Sequence, residues 1–264
     1  MNNLHKPRKR FGQNFLQDQY IIQKIIKAIK PDPFEKLIEI GPGKGALTIP
    51  LLKLVKELNM IELDRDLVPL LENTCAGLGK ITIHQKDALL FDFSTFTQES
   101  HALRIVGNLP YNISTPLLFH LLNYASYIKD MHFMLQKEVV DRIVAQPNTS
   151  DYGRLSIMLQ YFCHVESLFI VKPDSFYPAP KVNSAIIRLT PHTTLPYSVN
   201  NFSLLQKIVA QAFNQRRKTL RNSLKTLINE TQLEKLNISP QSRPENLSLQ
   251  DYVNLCLYLE TVED

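Results

Sequence analysis

The chain has 264 residues, enough for one large domain or a medium domain with a small appendage, and 44% are apolar, enough for a full core. Basic residues number 30 against 25 acidic, a net charge of +5. So modest an excess makes the placement of charge more informative than its sum, although a basic balance favours an anionic partner such as nucleic acid. Cys75, Cys163 and Cys256 lie far apart with no CxxC pair, and the seven histidines are scattered. This argues against a disulfide framework or a metal site and fits a reducing compartment. No apolar run approaches the roughly 20 residues that cross a bilayer. No signal-like apolar segment follows MNNLHKPRKR, so a cytoplasmic protein without a membrane partner is expected.

In chain order, the first feature is a basic cluster, Lys6, Arg8, Lys9 and Arg10. A frayed tail and an RNA contact explain it equally well. From residue 37 to about 136 short apolar segments alternate with longer ones of helical spacing. The strand candidates are Leu37–Ile40, Leu58–Leu63, Ile81–His84, Arg104–Val106 and His132–Leu135. Pro116–Ala125, with Leu117, Leu118, Leu121 and Leu122 on one face, exemplifies the helices between them. Such alternation predicts an α/β fold, a doubly wound (Rossmann-like) parallel sheet covered on both sides. Leu168–Val171 and Val182–Leu189 have no good helix between them and suggest an antiparallel hairpin finishing the sheet. TPHTTLPYS (190–198) reads as a linker. Beyond it, Phe202–Phe213, Arg216–Asn229 and Ser248–Val262 have helical spacing. The expected division is residues 1–190 as the α/β domain and 191–264 as a small all-helical domain.

Only eight glycines occur, and Gly41, Gly43 and Gly45 fall together directly after the first strand candidate. Strand, glycine turn and helix make the nucleotide-cradling unit of doubly wound folds. Glu62, about 20 residues on at the end of the next strand, can accept both hydroxyls of a ribose. The pattern is GxGxG, preceded by Glu39, and not the GxGxxG that packs a helix against a pyrophosphate. It therefore suits S-adenosylmethionine, which has no phosphates, better than a nicotinamide dinucleotide. A plain strand-to-helix turn explains the glycines alone equally well; Glu62, and Asp87 after the third strand, tip the balance. Asp87 could accept from the exocyclic amine of an adenine.

Arg104–Val106 runs into Gly107-Asn108-Leu109-Pro110-Tyr111. In a doubly wound sheet this is the C-terminal edge of the strand beside the first, where ligands bind. An adenine N6 lone pair is delocalised into the ring and is a poor nucleophile. Asn108 Oδ1 and a nearby backbone carbonyl could each accept an N6 hydrogen, favouring the pyramidal amine of a methyl-transfer transition state. Pro110 stiffens the turn and Tyr111 offers a face for the base. An ordinary strand-closing turn is the competing explanation.

Together with RFGQNFL (10–16), IELDRDL (61–67), KDAL (86–89), FYPAPKVNSAIIRL (176–189), FNQRRKTLRNSL (213–224) and RPENLS (243–248), the blocks EIGPGKGALT (39–48) and GNLPYNISTP (107–116) carry a resemblance over nearly the whole chain. It resembles the ribosomal RNA adenine N6,N6-dimethyltransferases, in their small-subunit (kasugamycin-resistance) type. That resemblance implies a class I methyltransferase fold with S-adenosylmethionine as donor. It also implies dimethylation of two adjacent adenosines in a hairpin near the 3′ end of small-subunit rRNA. The expected partner is that rRNA within the pre-30S particle, and the expected state a monomer. Carried over by position, Asn14, Leu16, Gly41, Glu62, Asp87 and Asn108 would contact the cofactor. Asn108, Leu109, Pro110 and Tyr111 would hold the target base, with Phe176 on its other face. Asn183 departs from the acid usual in the family.

Arg216, Arg217, Lys218, Arg221 and Lys225 make five of residues 216–225 basic, with no acid among them. On a helix Arg217, Arg221 and Lys225 would share a face beside a seam of Phe213, Leu220, Leu224 and Leu227. These five, with Lys9 and Arg10, are the expected RNA contacts, against the alternative of a solvated helix face. Three other functions stand beside the main one: a large-subunit rRNA adenine methyltransferase of the macrolide-resistance type, an assembly factor whose methylation is dispensable, and a nicotinamide oxidoreductase.

Overall fold

The computed structural model describes residues 13–263. The elements are β1 (Phe15–Leu16), α1 (Gln19–Ile29), β2 (Lys36–Ile40), α2 (Thr48–Leu52), β3 (Glu57–Glu62), α3 (Val68–Cys75), β4 (Lys80–Gln85), β5 (Leu103–Asn108), α4 (Ser114–Leu122) and β6 (Ile128–Gln136). There follow α5 (Lys137–Val144), α6 (Arg154–Phe162), β7 (Cys163–Val171), β8 (Phe176–Tyr177), β9 (Ser184–Pro191), α7 (Phe202–Asn214), α8 (Leu220–Ser223), α9 (Glu230–Lys235) and α10 (Leu249–Glu263).

Seven strands form one sheet in the order β4-β3-β2-β5-β6-β9-β7. β2 pairs in parallel with both β3 and β5, and β9 runs antiparallel to β6. The chain winds outward from β2 through β3 to β4, then returns to β5 on the other flank. The C-terminal ends of β2 and β5 are therefore the switch point where doubly wound sheets bind ligands. The central strands have the continuous apolar character of a sheet buried on both faces: Leu37, Ile38, Ile40, Leu58, Met60, Ile105 and Val106 are all buried.

Helix α1 shows how sequence becomes packing. Asp18 caps it by accepting from the N–H groups of Tyr20 and Ile21, and Lys30 closes it in the left-handed region at φ 47°. Ile22, Ile25, Ile26 and Ile29 then share one face and join the core of Leu37, Leu58 and Val106. Each such burial is worth about 1.5–3 kcal/mol. At the opposite end of the sheet from the switch point, buried Arg104 anchors the start of β5. Its guanidinium donates to Asp130, Glu35 and the carbonyl of Ile29.

The chain divides into two compact units, residues 1–140 with 165–191 and residues 141–164 with 192–264. The contiguous split at 190 does not describe this division, because the first unit is discontinuous. In the second unit Tyr152 and Tyr161 are buried, with rings against Phe213 and Phe202 respectively, so α6 packs with α7. This unit is helical, as expected, but the helix expected over Arg216–Asn229 is broken. Residues 215–219 form a turn, α8 has four residues, and a second turn precedes α9. The first N–H groups of α8 donate to the carbonyls of Ser242 and Pro240 instead of continuing the helix. Ser248 and Asp251 cap α10 reciprocally.

Candidate active site

Asn14, Leu16, Gly41, Glu62, Asp87 and Asn108 come from five segments of the chain and line one cavity of about 310 Å³. Leu109, Pro110 and Tyr111 line it too. The cavity lies over the C-terminal ends of β2, β3, β4 and β5. Phe176 is absent from its wall: the ring is 5% exposed and belongs to the core with Val106, Met134 and Ile186. Phe176 therefore lies beside the cavity, behind Leu16, and not on its wall. Its position is set by backbone pairing with Leu16, which turns the ring into the core.

The glycine loop is built for close approach. Gly41 and Gly43 have φ of 66° and 59°, a region that side-chain-bearing residues rarely adopt. At Gly43 a Cβ would also stand 3.2 Å from ring carbons of Phe15. Glu62 ties this loop to β3. Its Oε2 accepts from the Gly43 N–H at 3.2 Å and its Oε1 from the Asp64 N–H at 2.8 Å. Burial pushes its carboxyl above the usual value, an effect that these N–H groups partly offset. Each carboxylate oxygen keeps a second lone pair for a ligand hydroxyl. Asp87 is half-buried and accepts from the Leu89 N–H at 2.9 Å.

A two-residue ribbon brings the N-terminal segment to the cavity. β1 pairs antiparallel with β8, Phe15 opposite Tyr177 and Leu16 opposite Phe176. The Gln17 N–H donates to the Ser175 carbonyl, and Gln13 Nε2 donates to Asp64. These contacts place the Asn14 carbonyl 3.0 Å from Asn108 Nδ2. A carbonyl can only accept, so the Asn108 amide must turn its nitrogen toward Asn14. Oδ1 is then the atom of Asn108 left to accept from a ligand. Tyr111 is half-buried, and its hydroxyl lies 2.8 Å from Ser184 Oγ. Burial raises the phenol pKa, so Tyr111 is no base at neutral pH.

Glu39, two residues before the first glycine of the loop, is also among the residues that line the cavity. It is 2% exposed and accepts from Thr48 Oγ1 at 2.6 Å. Burial, with Glu62 nearby, pushes its carboxyl up to about 8 against the hydrogen bond from Thr48. An acid inside the otherwise apolar run LIEI was the available signal. Ser184 falls inside the block FYPAPKVNSAIIRL that carries the resemblance, but nothing in that block points to Tyr111.

The basic segment divides by partner. Arg216 donates to the Ser150 carbonyl and lies 4.0 Å from Glu245; Arg221 lies 3.9 Å from Glu230. Arg217, Lys218 and Lys225 are exposed, on turns and not on a shared helical face. Lys9 and Arg10 lie outside the described residues.

Over residues 4–261 the chain matches the family described as ribosomal RNA adenine dimethylase. The chain belongs to that family. It is 54% identical over 255 residues to the ribosomal RNA small subunit methyltransferase A of Marinomonas sp. (strain MWYL1), covering 97% of this chain and 96% of that one. With its namesake from Aliivibrio fischeri (strain MJ11) it shares 53% over 256 residues, or 97% and 94% of the two chains. A crystal structure of a dimethyladenosine transferase from Plasmodium falciparum superposes with a TM-score of 0.79 at 28% identity, over 94% of this chain and 98% of that one. The 23S rRNA methyltransferase ErmE superposes at 0.72 over 94% and 100%; at 24% identity it supports the fold alone. Membership in the ribosomal RNA adenine dimethylase family makes the chain a class I adenine methyltransferase dependent on S-adenosylmethionine.

The cavity fits that donor. Among the described residues lining the cavity, Glu62 and Asp87 are acidic, Glu39 is held protonated by its burial, and Lys44 and Lys86 are basic. The acceptors of Glu62 and Asp87 suit a ribose diol and an amine. The volume is within the range of small-molecule sites.

Proposed function

We propose that this chain dimethylates N6 of two adjacent adenosines in the 3′-terminal hairpin of small-subunit rRNA, acting as a monomer on the pre-30S particle in the cytoplasm and contributing to subunit maturation. The small-subunit relatives at 53–54% identity support this reading over a large-subunit substrate. The observation that carries it is the Asn108 amide, oriented by the Asn14 carbonyl at the switch point of the sheet.

Bound S-adenosylmethionine supplies an electrophilic methyl group on a sulfonium. In this proposal Glu62 accepts from its ribose, Asp87 from its adenine amine, and the glycine loop passes beneath its amino-acid portion. Asn108 Oδ1 would accept one N6–H of the target adenosine and favour the pyramidal nitrogen that takes the methyl group as its bond to the donor sulfur breaks and the donor leaves as a neutral thioether. The N6 proton made acidic by alkylation then passes to water, so Asn108 acts as an acceptor and not as a base. Tyr111 stacks on the base. Phe176 supports Leu16 from the core side. In the second unit, the exposed Arg217, Lys218 and Lys225 contact phosphates, with Lys9 and Arg10 adding to them from the N-terminal segment. Arg216 and Arg221 chiefly brace their loops.

The test is methylation of undermodified small and large subunits by the purified protein, with the modified nucleotides mapped. Asn108→Ala should lose at least about 10²-fold in kcat, as when a preorganised hydrogen-bonding partner is removed. Modification confined to large-subunit rRNA, or full activity of Asn108→Ala, would overturn the reading.

A further inference from the structure

Tyr111 sits on a loop, yet both ends of its residue are held. Its backbone carbonyl accepts from Ser114 Oγ at 3.1 Å, and its phenolic oxygen meets Ser184 Oγ at 2.8 Å. Ser184 is 73 positions away in sequence, fully buried, and the first residue of β9. There it pairs with Gln136 of β6, one of the two strands next to β9 in the sheet. The ladder is continued one step further by the Lys137 N–H donating to the Asn183 carbonyl. Ser184 does not line the cavity; Tyr111 does. The hydrogen bond therefore ties the far edge of a loop-borne aromatic ring to the sheet.

We propose that Ser184 is a positioning residue for the methyl-transfer reaction, fixing the plane of the Tyr111 ring against which the target base lies. The proposal rests on the reading of Tyr111 as the stacking face for that base. A free phenol on a loop turns about χ1 and χ2; one held by a hydroxyl on a buried strand keeps a single ring plane. A base aligned on that plane keeps its N6 in line with the methyl carbon, and small misplacements at a reacting centre are costly. Ser184 touches neither base nor donor, and its effect runs through the Tyr111 hydroxyl alone.

The experiment compares Ser184→Ala, Tyr111→Phe, their double variant and Tyr111→Ala in methylation of undermodified small subunits, with binding of S-adenosylmethionine measured in parallel. Ser184→Ala and Tyr111→Phe should each lower kcat about fivefold, or about 1 kcal/mol at 1.36 kcal/mol per decade. The double variant should fall no further than either single one, and binding of S-adenosylmethionine should stay within about twofold of the parent, a pattern that general loss of structure does not give. Parental kcat in either single variant, or multiplying losses in the double variant, overturns the proposal. Should Ser184→Ala fold poorly, Tyr111→Phe carries the same decision, because it removes the other half of the same bond. Full activity in Tyr111→Ala would instead overturn the stacking reading beneath it. A disabled Tyr111→Ala beside a fully active Tyr111→Phe would overturn only the role of Ser184.

Discussion

Gly107 offers the sharpest mechanical test of the site. Its neighbours in the sheet leave no room for a side chain: a Cβ there would stand 2.5 Å from the Ile40 carbonyl oxygen and 3.1 Å from Leu109 Cδ2. Carbon and carbonyl oxygen normally approach to about 3.3 Å, so Gly107→Ala must part the ends of β2 and β5 by about 0.8 Å. The obstacle is backbone and cannot rotate away. Ile40 leads directly into Gly41, and Gly107 directly into Asn108, so the displacement falls between the glycine loop and the amide assigned to the target amine. Overpacking of this kind costs about 1–3 kcal/mol, a fall of about 2–4 °C in Tm per kcal/mol for a chain of this size. Misplacement near 1 Å at a reacting centre costs about 10²-fold in rate. Gly107→Ala should therefore stay folded with a lowered Tm, bind S-adenosylmethionine more weakly, and lose between about 10-fold and 10²-fold in kcat on undermodified small subunits. Thermal unfolding, calorimetric titration and single-turnover methylation measure the three effects. A folded variant with parental cofactor affinity and parental rate would show that the two strand ends do not act as one assembly.

Three further outcomes follow from the same geometry. Glu62→Ala removes the acceptor of the Gly43 and Asp64 N–H groups as well as the proposed ribose partner. It should weaken S-adenosylmethionine binding by at least about tenfold, or 1.4 kcal/mol, while RNA affinity stays close to the parent; unchanged cofactor affinity would sink the assignment. Glu39 has its carboxyl raised from an ordinary 4.5 to about 8, chiefly by burial. Between those values the folded chain holds a proton that the unfolded chain has released, so this group makes stability fall as pH rises through that window. Glu39→Gln keeps an acceptor for Thr48 and should flatten that fall in urea unfolding at the two ends of the window; an unaltered slope would contradict the burial argument. Replacing Arg217, Lys218 and Lys225 together by alanine should reduce the salt dependence of RNA binding by roughly 0.7–0.9 in log–log slope per lost phosphate contact. An unchanged slope would move the RNA face elsewhere.

The elements most legible in the sequence were those set by local rules. The strands of the parallel sheet appeared as short apolar runs because burial on both faces leaves polar residues little place in them. The glycine loop appeared because positive φ at Gly41 and Gly43 demands glycine, and the tetrapeptide because Asn108 and Pro110 are unusual at the end of an apolar strand. The helix expected across Arg216–Asn229 failed for a complementary reason: its charge and apolar spacing were right, but the first N–H groups of α8 found the carbonyls of Ser242 and Pro240, some 20 residues away.

The doubly wound sheet, the glycine loop with Glu62 and the place of Asn108 at a strand end were readable from the chain alone, because helix and strand period, glycine conformation and residue chemistry act over a few neighbours. Tertiary structure alone decided that the Asn14 carbonyl orients the Asn108 amide across 94 positions. It also turned Phe176 into the core, grouped residues 141–164 with the C-terminal helices and brought Ser184 to Tyr111. Those contacts join residues whose separation leaves no periodic trace, and each exists only once the packing of the whole sheet or helical unit has brought its partners within reach.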